Sequence, residues 1–348
     1  MDLARICFKV KERLGIWTRK EFGIMTMVTE ENKASTGYFL FSLDTELAWG
    51  HFDNFRPGIF SPDGQRERYA IRRLLDMLDE FGIVATWAVV GHLFYTKCEK
   101  CEICPVLEWK GKYNSYNDIY DANSPLWYGA DIIRTLIQRS GRHEIAFHGY
   151  THRIFDENTF SREDARVEIT EWLRVTQSMQ VAHPRTVVFP RNKVGHLDVF
   201  EAHGFVCYRG DELLPRDYYS LPLIGKFLNR IDLITQFRTP QIYNVEINRT
   251  GLINLPASRG LFTINRKFDM LLDRLNLRNF HIQRIIRGVE KAAKEKKIIH
   301  IYAHPFEFRA ERDFEKLRRL FEFVADQIKN NRLQSVSMAT LAETALRS

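Results

Sequence analysis

The sequence predicts an α/β fold in which short strands alternate with helices and form a parallel sheet. Along the 348 residues, short apolar segments alternate with longer segments whose apolar residues recur at helical spacing. Such alternation is typical of strands that are joined by crossover helices, which makes the strands parallel. About seven strand–helix units can be counted, and this number predicts a barrel, whether closed or incomplete.

Each predicted strand is a short, mostly apolar run in which β-branched and aromatic residues are frequent. The strands are predicted at 38–44, 83–91, 143–148, 185–190, 205–210, 298–304 and 334–338. The first strand reads YFLFSLD and ends on a single charged residue, Asp44.

The predicted helices lie between these strands and gather their apolar residues on one face. They are expected at 66–81, 130–140, 161–179, 195–203 and 311–330, and a further helix-rich stretch runs to about residue 297. Gly82 follows the first helix as a C-cap. Ser161 and Asp164 form a favourable start for the third helix.

The composition is that of an ordinary globular protein, with 45% hydrophobic and 27% charged residues. A single domain of about 250 residues with insertions fits the length better than two equal domains. The loop-rich stretch at about 92–128 and the irregular stretch at about 211–262 are the predicted insertions. The net charge is +7, but the basic residues are dispersed, so no nucleic-acid partner is expected.

Residues 1–36 are interpreted as an N-terminal extension. They include a predicted amphipathic helix with Ile6, Val10, Leu14 and Trp17 on one side. This helix is expected to dock on the domain surface, with weak association with a membrane surface as the alternative. The extension lacks the apolar core of a signal peptide, and the chain has no run of about 18 apolar residues that could span a bilayer. A cytoplasmic location is therefore expected.

The chain has five cysteines, and an odd number without an export signal argues against a disulfide framework. Cys98, Cys101 and Cys104 have the spacing C-x2-C-x2-C, which can bind zinc or an iron–sulfur cluster. A fourth ligand is not evident nearby, although His92 is a candidate. Three reduced thiols in an insertion loop are the slightly favoured interpretation, and a second metal site stays open.

Polar residues end four of the predicted strands. These groups are Asp44-Thr45-Glu46, His148 with His152, Pro190-Arg191-Asn192 and His304-Pro305. Each has an ordinary structural explanation when taken singly, such as a helix cap, a core histidine or a surface ion pair. The C-terminal ends of barrel strands share one face, however, so the four groups are expected to converge. Together they supply the carboxylate, metal-binding pair, cation and further histidine that a metal-dependent hydrolase needs.

Three of these groups have features that favour a functional role. His148 and His152 stand four residues apart in HGYTH, so both imidazoles can reach one divalent metal ion. Asp44 interrupts an apolar run, and a buried charge there needs a partner. Arg191 follows Phe-Pro, which suggests a fixed turn that holds its guanidinium near a carboxylate.

At these residues the chain resembles the polysaccharide deacetylase family, the NodB-like catalytic domain of carbohydrate esterase family 4. The motifs stand in the family's order as SLDTE (42–46), HGYTH (148–152), FPRN (189–192) and IYAHP (301–305). The resemblance implies a distorted (β/α)7-type barrel, with residues 37–348 as the catalytic domain. It also implies metal-dependent removal of an N-acetyl or related acyl group from an amino sugar in a glycan or glycoconjugate, with Zn²⁺ as the expected ion.

The resemblance further implies a role for each site residue. The metal ligands would be Glu46, His148 and His152. Asp44 would take a proton from water, and Arg191 would orient Asp44 and keep it ionised. His304 would protonate the leaving amine.

The chain departs from the family pattern in two motifs. Asp44 is followed by Thr45 where the family has a second aspartate, so Glu46 is the nearest substitute. Whether Asp44 or Glu46 is the carboxylate ligand therefore stays open. The third motif is inverted, with Pro190-Arg191 in place of Arg-x-Pro. The resemblance is thus to a divergent branch of the family.

Other functions stay open beside the deacetylase. One is a different non-peptide C–N hydrolase on the same scaffold, acting on a cyclic ureide or imide. Another is a non-catalytic relative that binds carbohydrate. The third is a metal-sensing or redox protein centred on the three clustered cysteines.

Overall fold

The structure is a computed structural model that describes residues 36–51, 58–97, 124–139, 141–213, 238–247, 251–262, 275 and 280–347. The predicted N-terminal helix and the cluster of Cys98, Cys101 and Cys104 lie outside these residues. The expectations stated for them therefore stay predictions.

Ten strands form one sheet in the described part of the chain. They are β1 Gly37–Thr45, β2 Thr86–Val89, β3 Glu144–Phe147, β4 Thr186–Val188, β5 Cys207–Arg209, β6 Glu246–Ile247, β7 Ile253–Asn254, β8 Arg259–Gly260, β9 Ile298–Ala303 and β10 Leu333–Ser335. Their order is β6-β7-β5-β4-β3-β2-β1-β9-β8, and β10 pairs with β1 outside this path. Every pairing is parallel except that of β6 with β7. The sheet is curled into a half-barrel, so the predicted fold class is confirmed.

Seven α-helices accompany the strands in the same described residues. They are α1 Gln65–Phe81, α2 Ala130–Gln138, α3 Arg162–Ser178, α4 Leu197–Ala202, α5 Phe280–Glu295, α6 Glu311–Lys329 and α7 Met338–Arg347. Gly82 ends α1 in the left-handed conformation, as predicted. Ser161 caps α3, where its hydroxyl and the Asp164 carboxylate exchange hydrogen bonds with each other's backbone N–H. No helix in the described residues is long and apolar enough to cross a bilayer.

The last helix, α7, differs from the prediction of a strand over 334–338. The strand ends at Ser335, and the chain turns into a helix at Met338. The N–H of Met338 donates to the hydroxyl of Thr86 at 3.0 Å, and the N–H of Ala339 donates to the carboxylate of Glu144 at 3.1 Å. Both acceptors come from distant strands and satisfy N–H groups that a helix start leaves open.

The two faces of β1 determine which of its side chains reach the site. Phe39, Phe41 and Leu43 belong to the large apolar cluster, which also contains the inward faces of the helices. Leu40 belongs instead to a smaller cluster with residues of β2, β4 and β5. Because alternate residues of a strand share a face, Asp44 lies on the same side of β1 as Leu40, toward the interior of the curled sheet.

Candidate active site

Three buried side chains meet where β1 and β3 end. The Nε2 atom of His148 lies 3.1 Å from Oε2 of Glu46, and the Nε2 atom of His152 lies 2.9 Å from the same oxygen. One donor atom from each of the three residues lies within 4.8 Å of the others. Glu46 is 5% exposed, and His148 and His152 are each 1% exposed. This spacing suits the ligands of one small cation.

The local chain conformation directs the two imidazoles toward Glu46. His148 follows the last residue of β3, and its Nδ1–H donates to the carbonyl of Val188 at 2.8 Å. This bond fixes the ring and leaves the Nε2 lone pair for a ligand. Gly149 and His152 adopt left-handed backbone conformations, with φ of 78° and 57°. The conformation is natural for glycine but strained for His152, and such strain persists only where surrounding contacts hold it.

The chemistry of these donors fits a bound divalent metal. Nδ1 of His152 has no hydrogen-bond partner among the described residues, and Nε2 of the same ring faces the Glu46 carboxylate at 2.9 Å. Burial lowers the pKa of His152 even though Glu46 opposes the effect, so the imidazole is neutral and offers a lone pair. Burial disfavours the charge of Glu46, but His152 and His148 outweigh it and hold the pKa of this carboxyl well below its usual range. Two imidazoles and one carboxylate form a set typical of Zn²⁺ sites with an open position.

Asp44 forms a buried ion pair with Arg209, the last residue of β5. The two guanidinium NH₂ groups donate to the two carboxylate oxygens, each at 2.6 Å. Burial alone would raise the pKa of Asp44, but Arg209, His148 and His304 together outweigh it, and the pKa is lowered. Asp44 is therefore ionised at neutral pH.

The Arg209 guanidinium is itself held on several sides. It donates to Ser42 Oγ at 3.0 Å and to Asn192 Oδ1 at 2.9 Å, and it lies 4.7 Å from the centre of the Tyr302 ring. The Ser42 hydroxyl lies 2.9 Å from Nε2 of His300. Burial and the nearby Arg209 lower the pKa of His300 to about 3, so its ring is neutral and Nε2 accepts the Ser42 proton. These contacts fix the guanidinium that orients Asp44.

His304 lies on the other side of Asp44, immediately after β9. Its Nε2 atom is 3.7 Å from Oδ2 of Asp44, and its side chain is 24% exposed. The Glu307 carboxylate accepts the backbone N–H of His304 at 2.7 Å and lies 3.2 Å from Nδ1. Burial opposes protonation of His304, but Glu307, Glu46 and Asp44 outweigh it and raise the pKa to about 10. His304 is therefore a cation at neutral pH.

The structure thus brings together five of the six site residues chosen from the sequence, and it places the sixth differently. Arg191 was expected to hold Asp44, but the guanidinium bound to Asp44 belongs to Arg209. Arg191 is exposed, and both it and Asn192 have positive φ values of 53° and 54°. This double left-handed turn brings Asn192, rather than Arg191, to the Asp44–Arg209 pair.

Sequence reasoning also missed Ser42, His300 and Glu307. Arg209 and His300 gave a signal, because each is a polar residue inside a predicted apolar strand, as Asp44 is. Ser42 and Glu307 gave none, since a serine in a strand and a glutamate in a turn are ordinary.

Comparison with solved structures shows the fold of the chain. A protein from Mycobacterium smegmatis assigned as a polysaccharide deacetylase shares 17% identity, with a TM-score of 0.54 over 89% of this chain and 90% of that one. A protein from Pseudomonas aeruginosa PAO1 with the same assignment shares 12% identity, with a TM-score of 0.51 over 89% and 91%. The PuuE allantoinase shares 12% identity, with a TM-score of 0.50 over 90% and 91%. The chain therefore has the NodB-like fold of the polysaccharide deacetylases. No family model and no curated protein matches the sequence.

Proposed function

We propose that the protein is a metal-dependent hydrolase that removes an N-acetyl or related acyl group from an amino sugar in a glycan or glycoconjugate. The observation that carries the proposal is the meeting of the Glu46–His148–His152 cluster with Asp44 and His304. A three-donor cluster, an ionised carboxylate and a cationic histidine at the C-terminal ends of barrel strands are the groups that amide hydrolysis requires. The deacetylase fold supports this assignment.

Glu46, His148 and His152 would hold the metal, with Zn²⁺ as the ion that best suits the donors. When bound, the ion supplies Lewis-acid polarisation of the amide carbonyl and lowers the pKa of water. The protein covers the three ligand side chains, because each of them is almost fully buried. A buried site also strengthens every electrostatic interaction within it.

Asp44 would act as the general base that takes a proton from the attacking water. Its low pKa keeps it ionised, and Arg209 holds both of its oxygens in place. We therefore assign to Arg209 the orienting role that the sequence alone suggested for Arg191. A base fixed at both oxygens keeps its geometry as the proton is transferred.

His304 would act as the general acid that protonates the leaving amine. Its raised pKa keeps the proton on the ring at neutral pH, and Glu307 is placed to hold Nδ1–H. Nε2 then faces Asp44 at 3.7 Å and can deliver its proton next to the base. After the amine leaves, the proton on Asp44 can return to His304 over this short distance, which restores both groups.

A second candidate is hydrolysis of a C–N bond in a cyclic ureide, for which the same base, acid and metal-binding residues would serve. The similarity of fold to an allantoinase supports keeping this candidate. The two candidates differ in substrate and product, so one panel of assays separates them.

The test is hydrolysis by the purified, zinc-loaded protein. We expect acetate release from N-acetylated amino-sugar oligomers, loss of this activity on chelation and its return with Zn²⁺. His148→Ala should abolish acetate release, whereas the matched control His203→Ala, a histidine at the end of α4, should leave it unchanged. Ring opening of a cyclic ureide without acetate release would favour the second candidate. Full activity after chelation, or in His148→Ala, would overturn the metal mechanism.

A further inference from the structure

The loop between the two histidine ligands is bound by a buried carboxylate from another element. Glu168, on α3, is 2% exposed. Its carboxylate accepts the backbone N–H of Tyr150 at 2.6 Å and that of Thr151 at 2.9 Å. It also accepts the hydroxyl of Thr151. All three bonds therefore fall on residues that separate His148 from His152.

The opposite side of this loop is held by the chain that leaves β2. The N–H of Gly91 donates to the carbonyl of Gly149 at 2.9 Å, and the N–H of His92 donates to that of Tyr150 at 3.1 Å. The loop carbonyls are thus bound by one element and the loop N–H groups by Glu168. Because the loop is held from both sides, the strained backbone of His152 can persist.

The use of a carboxylate here has a physical cost. Burial raises the pKa of Glu168, although the bonds from Thr151 and Tyr150 oppose the rise. A neutral side chain would avoid this cost, but among ordinary side chains only a carboxylate offers two oxygens that accept three bonds and carry no competing donor. The geometry of the loop therefore requires an acceptor-only group at this position.

We propose that Glu168 is a positioning residue for the metal site, which fixes the loop 149–151 so that Nε2 of His148 and Nε2 of His152 face the same oxygen of Glu46. This inference rests on the proposed metal binding by that cluster. It does not depend on which amide the protein cleaves.

The test is the zinc affinity of Glu168→Gln, measured by competition with a chromophoric chelator. Glutamine has the same shape, but its NH₂ group would face the loop N–H groups. Loss of a group that supports metal ligands typically weakens affinity by about 10- to 100-fold, and we expect a loss in this range. The visible absorption spectrum of the Co²⁺-substituted protein should also change, since it reports ligand geometry. Glu163→Gln is the matched control, because Glu163 lies on the same helix and its side chain is 73% exposed.

Thr151 provides a second variant in case Glu168→Gln fails to fold. Thr151→Val removes only the hydroxyl that binds Glu168 and should weaken zinc binding severalfold, whereas Thr151→Ser keeps the hydroxyl and should retain wild-type affinity. Wild-type affinity and an unchanged Co²⁺ spectrum in folded Glu168→Gln, or in Thr151→Val if Glu168→Gln is unfolded, would overturn the inference. A wild-type protein that binds zinc but deacetylates no sugar would overturn the proposed function and leave this inference standing. A wild-type protein that binds no zinc would overturn both.

Discussion

Replacement of Arg209 by methionine is the perturbation whose effect the structure defines best. Arg209 and Asp44 form a two-bond ion pair, and their side chains are 1% and 5% exposed. Removing one partner of a buried pair leaves an uncompensated charge and typically costs about 3–5 kcal/mol. Since Ser42 and Asn192 also lose a donor, we expect a loss toward the upper end of this range. Domains are stable by about 5–15 kcal/mol, so Arg209→Met should fold but with a lower unfolding midpoint.

The pH dependence of this loss has a definite sign. In the wild type the folded pKa of Asp44 is lowered, so its stabilising contribution is present above the unfolded pKa and is lost as pH falls through the folded pKa. Without Arg209 only His148 and His304 oppose burial, which is the largest effect, so we expect the folded pKa of Asp44 to rise above the unfolded one. The contribution of Asp44 is then present below the unfolded pKa and is lost as pH rises. The destabilisation by Arg209→Met should therefore be smaller in acid than at neutral pH.

Urea unfolding at acidic and neutral pH measures the stability change, and the pH profile of kcat/KM measures the effect on the base. We expect the acidic limb of the profile to move to higher pH in Arg209→Met. Arg68→Met is the control, because Arg68 is also buried and paired, with Asp131 at 2.8 Å, but lies outside the candidate site. It should lose stability without a shift of the acidic limb. An unshifted limb in Arg209→Met, or a destabilisation that grows in acid, would refute the role assigned to this pair.

Three further changes test other parts of the account. The Glu307 carboxylate is the largest influence that raises the pKa of His304 to about 10. In Glu307→Gln the basic limb of the kcat/KM profile should therefore move to lower pH, and an unmoved limb would argue against His304 as the acid. Gly50→Ala would place a methyl group where the Glu46 carboxylate lies, so zinc affinity should fall at least about tenfold in a calorimetric titration, and wild-type affinity would contradict the position of Glu46. Ser161→Ala removes the α3 cap and should cost about 0.5–2 kcal/mol in urea unfolding, with no change in stability as the contrary result.

The fold could be predicted because its signals are local. The apolar run of β1 is buried on both faces, as expected of a parallel strand, and the capping residues Gly82 and Ser161 mark helix ends in the sequence itself. The helix α7 could not be predicted in the same way. One local signal marks its start, because the Ser337 hydroxyl accepts the N–H of Thr340 at 3.1 Å. The N–H groups of Met338 and Ala339 are instead bound by Thr86 and Glu144, which are distant in the sequence.

The candidate site was predictable to the extent that each residue ends a strand. His148 and His152 are predicted from their spacing after a strand, and Glu46 from the resemblance of the SLDTE motif to a family motif; the structure brings the three together. The partner of Asp44 could not be chosen correctly, because two arginines lie near the ends of neighbouring strands: Arg191 follows β4, and Arg209 is the last residue of β5. Only the backbone conformation of the turn after β4 decides which of them reaches Asp44, and two successive left-handed residues without glycine are not predictable from sequence.

We propose that Glu46, and not Asp44, completes the metal site with the two histidines. Elemental analysis of the purified wild type, Glu46→Gln and Asp44→Asn separates the two residues. Only the carboxylate that is a ligand should be needed for zinc binding, whereas the base should be needed for activity alone. We expect Glu46→Gln to lose one zinc ion per chain relative to wild type, whereas Asp44→Asn should keep the full wild-type zinc content and lose activity. Loss of zinc in Asp44→Asn, with wild-type zinc content in Glu46→Gln, would instead show that Asp44 is the carboxylate ligand.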